Sequence, residues 1–238
     1  MRSLLVILLV VTASRSFAST ILDQEHDSYN WNYYLDYPGD YMAQTFTVRN
    51  SGKLAEVGVE VVLTGYSNYK PPVDDLHIKV VRTDSSGAPA VDQVLASRSF
   101  AWTELKHYNT GDSLLRFDVS PWNIPVSVGE VLAIVLSSKQ TADNYESFNA
   151  RFDYLWLGGT GNPHSGGDFY LYSPKQFGPA PHKWTTMVNA PSPPPPNTLV
   201  NMNFQILVEE VPEPGSLALA ACSIGVGSAG WLRRRRRD

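Results

Sequence analysis

The sequence predicts an all-β protein built as a single antiparallel β-sandwich. Short segments that alternate or run apolar, rich in β-branched and aromatic residues, recur along the chain. Turn chemistry separates them, within a total of 17 Gly and 17 Pro. No helical pattern longer than about ten residues remains between the two ends of the chain.

Ten strands are expected in order, near residues 43–48, 54–64, 76–82, 94–102, 114–119, 131–137, 152–157, 169–172, 184–188 and 200–208. "EVGVEVVL" in the second is Val-rich with an internal Gly, which favours a strand over a helix. "NSGK", "TDSSGAP", "YNTGDS", "GGTGNPHSGGD" and "NAPSPPPPN" are expected as turns and loops. The Pro run at 191–196 is locally extended and is placed as a loop before the last strand.

The length of 238 residues fits one domain plus signals. The expected division is 1–18 as a leader, 19–41 as an aromatic N-terminal segment, 42–210 as the sandwich and 211–238 as a C-terminal signal. Residues 19–211 hold 12 basic and 21 acidic residues, and 12 − 21 gives −9. An acidic body repels nucleic acid, so none is expected as a partner. Cys222 is the one cysteine and lies in the terminal apolar run, so the body has no disulfide framework and no cysteine metal site.

Both ends read as addresses. "MRSLLVILLVVTASRSFAST" has a basic Arg2, an apolar run at 4–11, and small Ser16 and Ala18 where a signal peptidase reads. It is expected as a secretory signal cut after Ala18. The other end, "VPEPGSLALAACSIGVGSAGWLRRRRRD", has three parts. Pro212 and Pro214 bracket Glu213, and each proline disfavours helix at its own position and the one before it. Residues 216–232 carry no charge and would span about 25 Å as a transmembrane helix. Arg233, Arg234, Arg235, Arg236 and Arg237 then stop transfer and stay cytoplasmic. The body is therefore expected outside the cytoplasmic membrane.

This tail resembles that of PEP-CTERM proteins, in which a Pro-Glu-Pro motif, a short helix and a basic end follow in that order. The resemblance covers about the last 28 residues. It implies recognition and removal of the tail by an exosortase, with Val211, Pro212, Glu213, Pro214 and Gly215 as the sorting motif. It also implies a Gram-negative, exopolysaccharide-producing host, transient inner-membrane anchoring, and final residence at the cell surface or in the extracellular matrix. A second resemblance covers about residues 40–208. "AQTFTV", "LAEVGVEVVLTG", "HIKVVRTDSSGAPAVDQVLASRSF", "FDVSPWNIPVSVGEVLAIVLSS" and "GGDFYLYS" are similar to the jelly-roll, galactose-binding-like ectodomains attached to such anchors. It implies a jelly-roll sandwich but supplies no binding residues.

Catalytic signals are sparse. His26, His77, His107, His164 and His182 are scattered without the spacing of a zinc-binding helix. No G-x-S-x-G elbow is present, and "GGTGNPHSGG" lacks the lysine of a phosphate loop. "DQEHDS" gathers Asp23, Glu25, His26 and Asp27, oxygen donors of the kind calcium takes, although a solvated terminus is the plainer reading. "PPVDDL" places Asp74 beside Asp75 in an expected loop. No cofactor is expected.

The aromatic residues point further. Tyr29, Trp31, Tyr33, Tyr34, Tyr37 and Tyr41 fall within 13 residues, interleaved with Asn and Asp. Tyr154, Trp156, Tyr170, Tyr172 and Trp184 form a second set. Aromatic faces stack on the C–H faces of sugars, while amide and carboxylate groups bond the hydroxyls. Trp31, Tyr33, Tyr34, Trp156 and Trp184 are the candidate ligand-binding rings; core filling is the alternative for both sets. The expected function is thus adhesive or structural in the extracellular polysaccharide, with extracellular glycans as partners. The alternative is a secreted glycoside hydrolase on the same anchor, which would need two facing carboxylates.

Overall fold

The computed structural model describes residues 19–27, 31–35, 40–64, 74–107, 113–138, 153–160, 167–172, 184–186 and 200–210. Residues 1–18 and 211–238, expected as a leader and a sorting signal, lie outside the described residues. Among the described residues the strands are β1 (Thr20–His26), β2 (Trp31–Tyr34), β3 (Tyr41–Thr47), β4 (Gly52–Thr64), β5 (Leu76–Thr83), β6 (Pro89–Phe100), β7 (Lys106–His107), β8 (Leu114–Asp118), β9 (Pro125–Val126), β10 (Val131–Ser138), β11 (Asp153–Thr160), β12 (Phe169–Tyr172), β13 (Thr185–Thr186), β14 (Val200–Met202) and β15 (Phe204–Glu210). Two short 3-10 turns, Trp102–Glu104 and Ser120–Trp122, are the helical elements among them.

The strands form two sheets, antiparallel except for the short β4–β7 pairing. One has the order β13-β12-β3-β10-β5-β6. The other runs β1-β15-β4-β11-β14, with β2 on β11 and with β7, β8 and β9 on β4. Alternation along each strand sends one set of side chains between the sheets. Met42, Phe46, Ile78, Val80, Ile134 and Leu136 come from the first sheet. Leu54, Val57, Val59, Phe117, Trp156, Phe204 and Ile206 meet them from the second. This is a β-sandwich, as the period-two pattern predicts.

The sheets take in residues that the sequence reading set apart from the sandwich. β1 pairs with β15 and β2 pairs with β11. The reading missed β1 because its buried residues are polar. The register skips Asp23 between Leu22 and Gln24, which is a bulge. The Asp23 carboxylate turns inward and accepts hydrogen bonds from the backbone N–H of Arg49 and of Asn50 and from Asn50 Nδ2. It thereby ties β1 to the β3–β4 corner. The "DQEHDS" stretch is therefore strand for most of its length.

Two further departures have one cause each. A strand is expected to end at 157 with the following glycines in a loop, but β11 continues through Gly158 and Gly159. A Cβ on Gly158 would lie 2.5 Å from the carbonyl oxygen of Asn201 on β14. The glycine is there for close strand approach, not for a turn. Gly158→Ala is expected to cost about 1–3 kcal/mol through forced displacement of β14, read as a lower urea midpoint at unchanged m-value. The final expected strand, 200–208, is broken at Asn203. Before it, β14 pairs with β11; after it, β15 pairs with β4 and β1.

Asn203 fills that break with hydrogen bonds. Its backbone N–H donates to Leu157 O, and its carbonyl oxygen accepts from Trp156 Nε1 at 2.9 Å. Its Nδ2 donates to Glu60 Oε2 at 2.6 Å, while Ser113 Oγ donates to Glu60 Oε1. A second polar tie crosses between the sheets. Gln44, fully buried on β3, accepts from Met202 N–H and donates from Nε2 to Asn201 Oδ1. Buried polar groups are held where they are satisfied, so the Gln44 tie fixes how the two sheets dock, while the Asn203 tie, within one sheet, fixes the break between β14 and β15.

Candidate functional site

The outer face of the β13-β12-β3-β10-β5-β6 sheet carries the candidate site. Strand register places its residues in rows. One row crosses Ser99, His77, Ser137, Tyr41 and Tyr172. The next crosses Ser97, Lys79, Val135, Ala43, Tyr170 and Thr186. The inward neighbours Met42, Leu136 and Leu171 belong to the core, so these rows face away from it.

Three tyrosines gather around Trp184. The ring centroids of Tyr41, Tyr170 and Tyr172 lie 6.5, 6.3 and 6.3 Å from the indole, at interplanar angles of 77°, 80° and 66°. Tyr41 also meets Tyr172 at 5.9 Å. Edge-to-face contacts of this kind hold each ring in place beyond simple burial. Tyr170 and Tyr172 are buried, whereas Tyr41 and Trp184 are only partly buried, packed against Ala43, Ala133, Val135 and Val81. The solvent-facing ring surface is therefore that of Tyr41 and Trp184.

The β5–β6 turn holds this wall. Asp84 accepts hydrogen bonds from Ser86 N–H, Ser86 Oγ and Ala88 N–H, which curls 84–88 into a tight turn. The Ser86 hydroxyl and amide hold the Asp84 carboxyl below the usual carboxylate range. Gly87 has φ of +84°, a left-handed conformation that favours glycine. The turn brings Pro89 O to Trp184 Nε1, which donates to it at 2.7 Å. Tyr170 Oη makes a long 3.5 Å hydrogen bond to Gly87 O. Burial, then the nearby Asp168 and Asp84 carboxylates, raise the Tyr170 phenol above its ordinary value, so it stays neutral and can donate.

Beside the wall lies a polar stripe. Ser99 Oγ and His77 Nδ1 are 2.7 Å apart, with Ser137, Ser97 and Lys79 on the adjoining positions. An apolar ring wall next to hydroxyl, imidazole and ammonium groups suits a ligand with an apolar face and a hydroxylated edge.

The structure regroups the candidate rings. Trp156 is fully buried, lies edge-on to Phe169 and presents no ring face to solvent. Tyr154 is also fully buried, and its hydroxyl donates to Asp74 O. Burial, with Asp75 and Asp74 adding to it, pushes its phenol well above the ordinary value. Tyr33 is half-buried against Phe169 at 5.9 Å. The backbones of Trp31 and Tyr34 lie in β2, and their side chains fall outside the described residues. Trp184 joins Tyr41, from the other sequence cluster, on the outer face. The signal for that pairing is weak in sequence, because it depends on β12 lying beside β3.

Many described carboxylates have structural engagements. Asp23, Asp84 and Asp118 cap turns, Glu60 anchors Asn203, and Glu56, Glu104 and Glu130 pair with Arg116, Arg98 and Arg82. Among the described residues no three His, Cys, Asp or Glu side chains converge as a metal ion would need. No protein-family model matches the chain, and no curated protein is similar to it.

Proposed function

We propose that the protein is exported, held briefly in the inner membrane by its C-terminal helix, sorted by an exosortase, and kept at the cell surface or in the extracellular matrix. There it has an adhesive or structural role through weak contact with glycans. In this reading the sandwich is a jelly-roll module of the galactose-binding-like type.

The observation that carries the reading is the three-part tail: Pro212-Glu213-Pro214, an uncharged run at 216–232, and Arg233–Arg237, following an N-terminal secretory signal. The partly buried Tyr41–Trp184 wall beside a hydroxyl-bearing stripe supports the glycan contact. With −9 over residues 19–211, the body favours neutral over anionic glycans. The glycosidase alternative has less support, since Asp84 and Asp118 serve turns and Glu56, Glu104 and Glu130 serve ion pairs.

In a host with the sorting enzyme, the surface protein is expected to lack residues 216–238. Pro212→Ala combined with Pro214→Ala is expected to leave the tail attached. Intact-mass measurement of the surface fraction checks both. A mature surface protein that still carries Arg233–Arg237 would refute the sorting reading.

A further inference from the structure

Among the described residues the large, well-exposed apolar side chains are Leu22, Val94, Trp122 and Val128. Single exposed apolar residues are ordinary on a protein surface. Three of these, however, attach to one short stretch, residues 51–56. Leu22 pairs with Leu207, which pairs with Glu56. Trp122 N–H donates to Val119 O, and Val119 N–H donates to Ala55 O. Val128 N–H donates to Ser51 Oγ. Their exposures are 49%, 44% and 64%, so about half of their surface remains open at this one end of the sandwich.

The same stretch receives both termini of the folded body. Thr20 pairs with Glu209, Glu209 pairs with Lys53, and Glu210 pairs with Gly52. The uncharged run begins at Ser216, six residues beyond Glu210. Fully extended, six residues reach at most about 22 Å. The exposed Trp122, Val128 and Leu22 therefore surround the point where the chain departs for its apolar tail.

We infer that this end of the sandwich is a lipid-facing surface that rests on the membrane interface while the tail is attached. The inference rests on the anchoring reading of the tail. Tryptophan is favoured where an apolar surface meets the wet edge of a bilayer, and Leu and Val add apolar area. Exposed Arg49 lies on the same corner. The opposite end of β4 pairs with β7, just after the Trp102–Glu104 turn. Tyr41 and Ser99 lie toward that opposite end, because Tyr41 begins β3 while Thr47, beside the Asp23 corner, ends it. Docked this way, the domain turns its aromatic wall away from the membrane.

The test uses the full chain with Cys222→Ser, so that a single introduced thiol carries an environment-sensitive fluorophore. One variant places the thiol at the lipid-facing end, Val128→Cys. The control places it on the exposed far turn, Thr103→Cys. Both are reconstituted in vesicles of phosphatidylethanolamine and phosphatidylglycerol, some of whose lipids carry a quencher just below the headgroup. The expected result is blue-shifted, quenched emission at position 128 and neither change at position 103. Chain that floats with the vesicles but leaves position 128 as unquenched as position 103 would overturn the lipid contact and leave the anchor standing. Chain that does not float with the vesicles would overturn both. Protection of position 128 only with added sorting enzyme, or only at high protein-to-lipid ratio, would assign the surface to the enzyme or to a second copy and overturn the lipid proposal.

Discussion

Replacing Trp156 with alanine is expected to lower the stability of the folded body by about 3–5 kcal/mol. The indole is fully buried at the centre of the sandwich, against Phe169. Its loss opens a cavity that the two sheets are poorly able to close, because Gln44 holds them together through buried hydrogen bonds. It also removes the Nε1 donor to Asn203 O. Trp156→Phe restores much of the volume but not the donor, and is expected to recover part of the loss. Urea unfolding of residues 19–210 reads the difference. Unchanged stability in Trp156→Ala would mean that this ring is not the core element described here.

Asn203→Leu is expected to cost about 3 kcal/mol, despite the added apolar surface. The leucine takes a donor away from Glu60, whose carboxylate is buried and is also held by Ser113. A buried acceptor that loses a partner costs more than the hydrogen bond contributes while formed. The two residues are in direct contact, so their substitutions should not add. A double-mutant cycle with Glu60→Leu is expected to show the pair nearly as stable as Asn203→Leu alone. Full additivity in the same urea series would show that Glu60 and Asn203 act independently.

Much of the fold was legible because its central strands alternate or run apolar with β-branched residues. The segments at 43–48, 54–64, 76–82 and 131–137 have one apolar face each for the core, and all four are strands. β1 was not legible, since Asp23, Gln24 and His26 are buried and only the bulge explains why. Nor was the break at Asn203, which reads as one more polar residue in an apolar run until β14 and β15 are seen to pair with different partners. The glycines at 158 and 159 carry the same letters in a turn as in a tight strand contact, and only the approach of Asn201 O distinguishes them.

The candidate site was legible as a composition but not as a place. Trp156 and Trp184 look alike in sequence, each in an aromatic, β-rich stretch. One points between the sheets and the other lies on an outer face, and strand parity alone does not say which face will be covered. Tyr41 and Trp184 are 143 residues apart (184 − 41) and meet because β12 bridges β3 and β13. The turn at 84–88 was readable from Asp, Ser and Gly, but its role in holding Trp184 through Pro89 O required the packed structure.

The most direct test of the account is glycan binding by residues 19–210, measured on an array of neutral and anionic glycans with and without calcium. Wild type is compared with Trp184→Ala, Tyr41→Ala and the remote Val128→Ala, each first shown to unfold cooperatively. The account predicts a neutral-glycan signal that Val128→Ala keeps. Trp184→Ala and Tyr41→Ala should each weaken it about tenfold or more, equivalent to ~1.4 kcal/mol. A folded wild-type protein that is silent across the array, or a signal indifferent to both ring substitutions, would contradict it and leave the outer wall as packing alone.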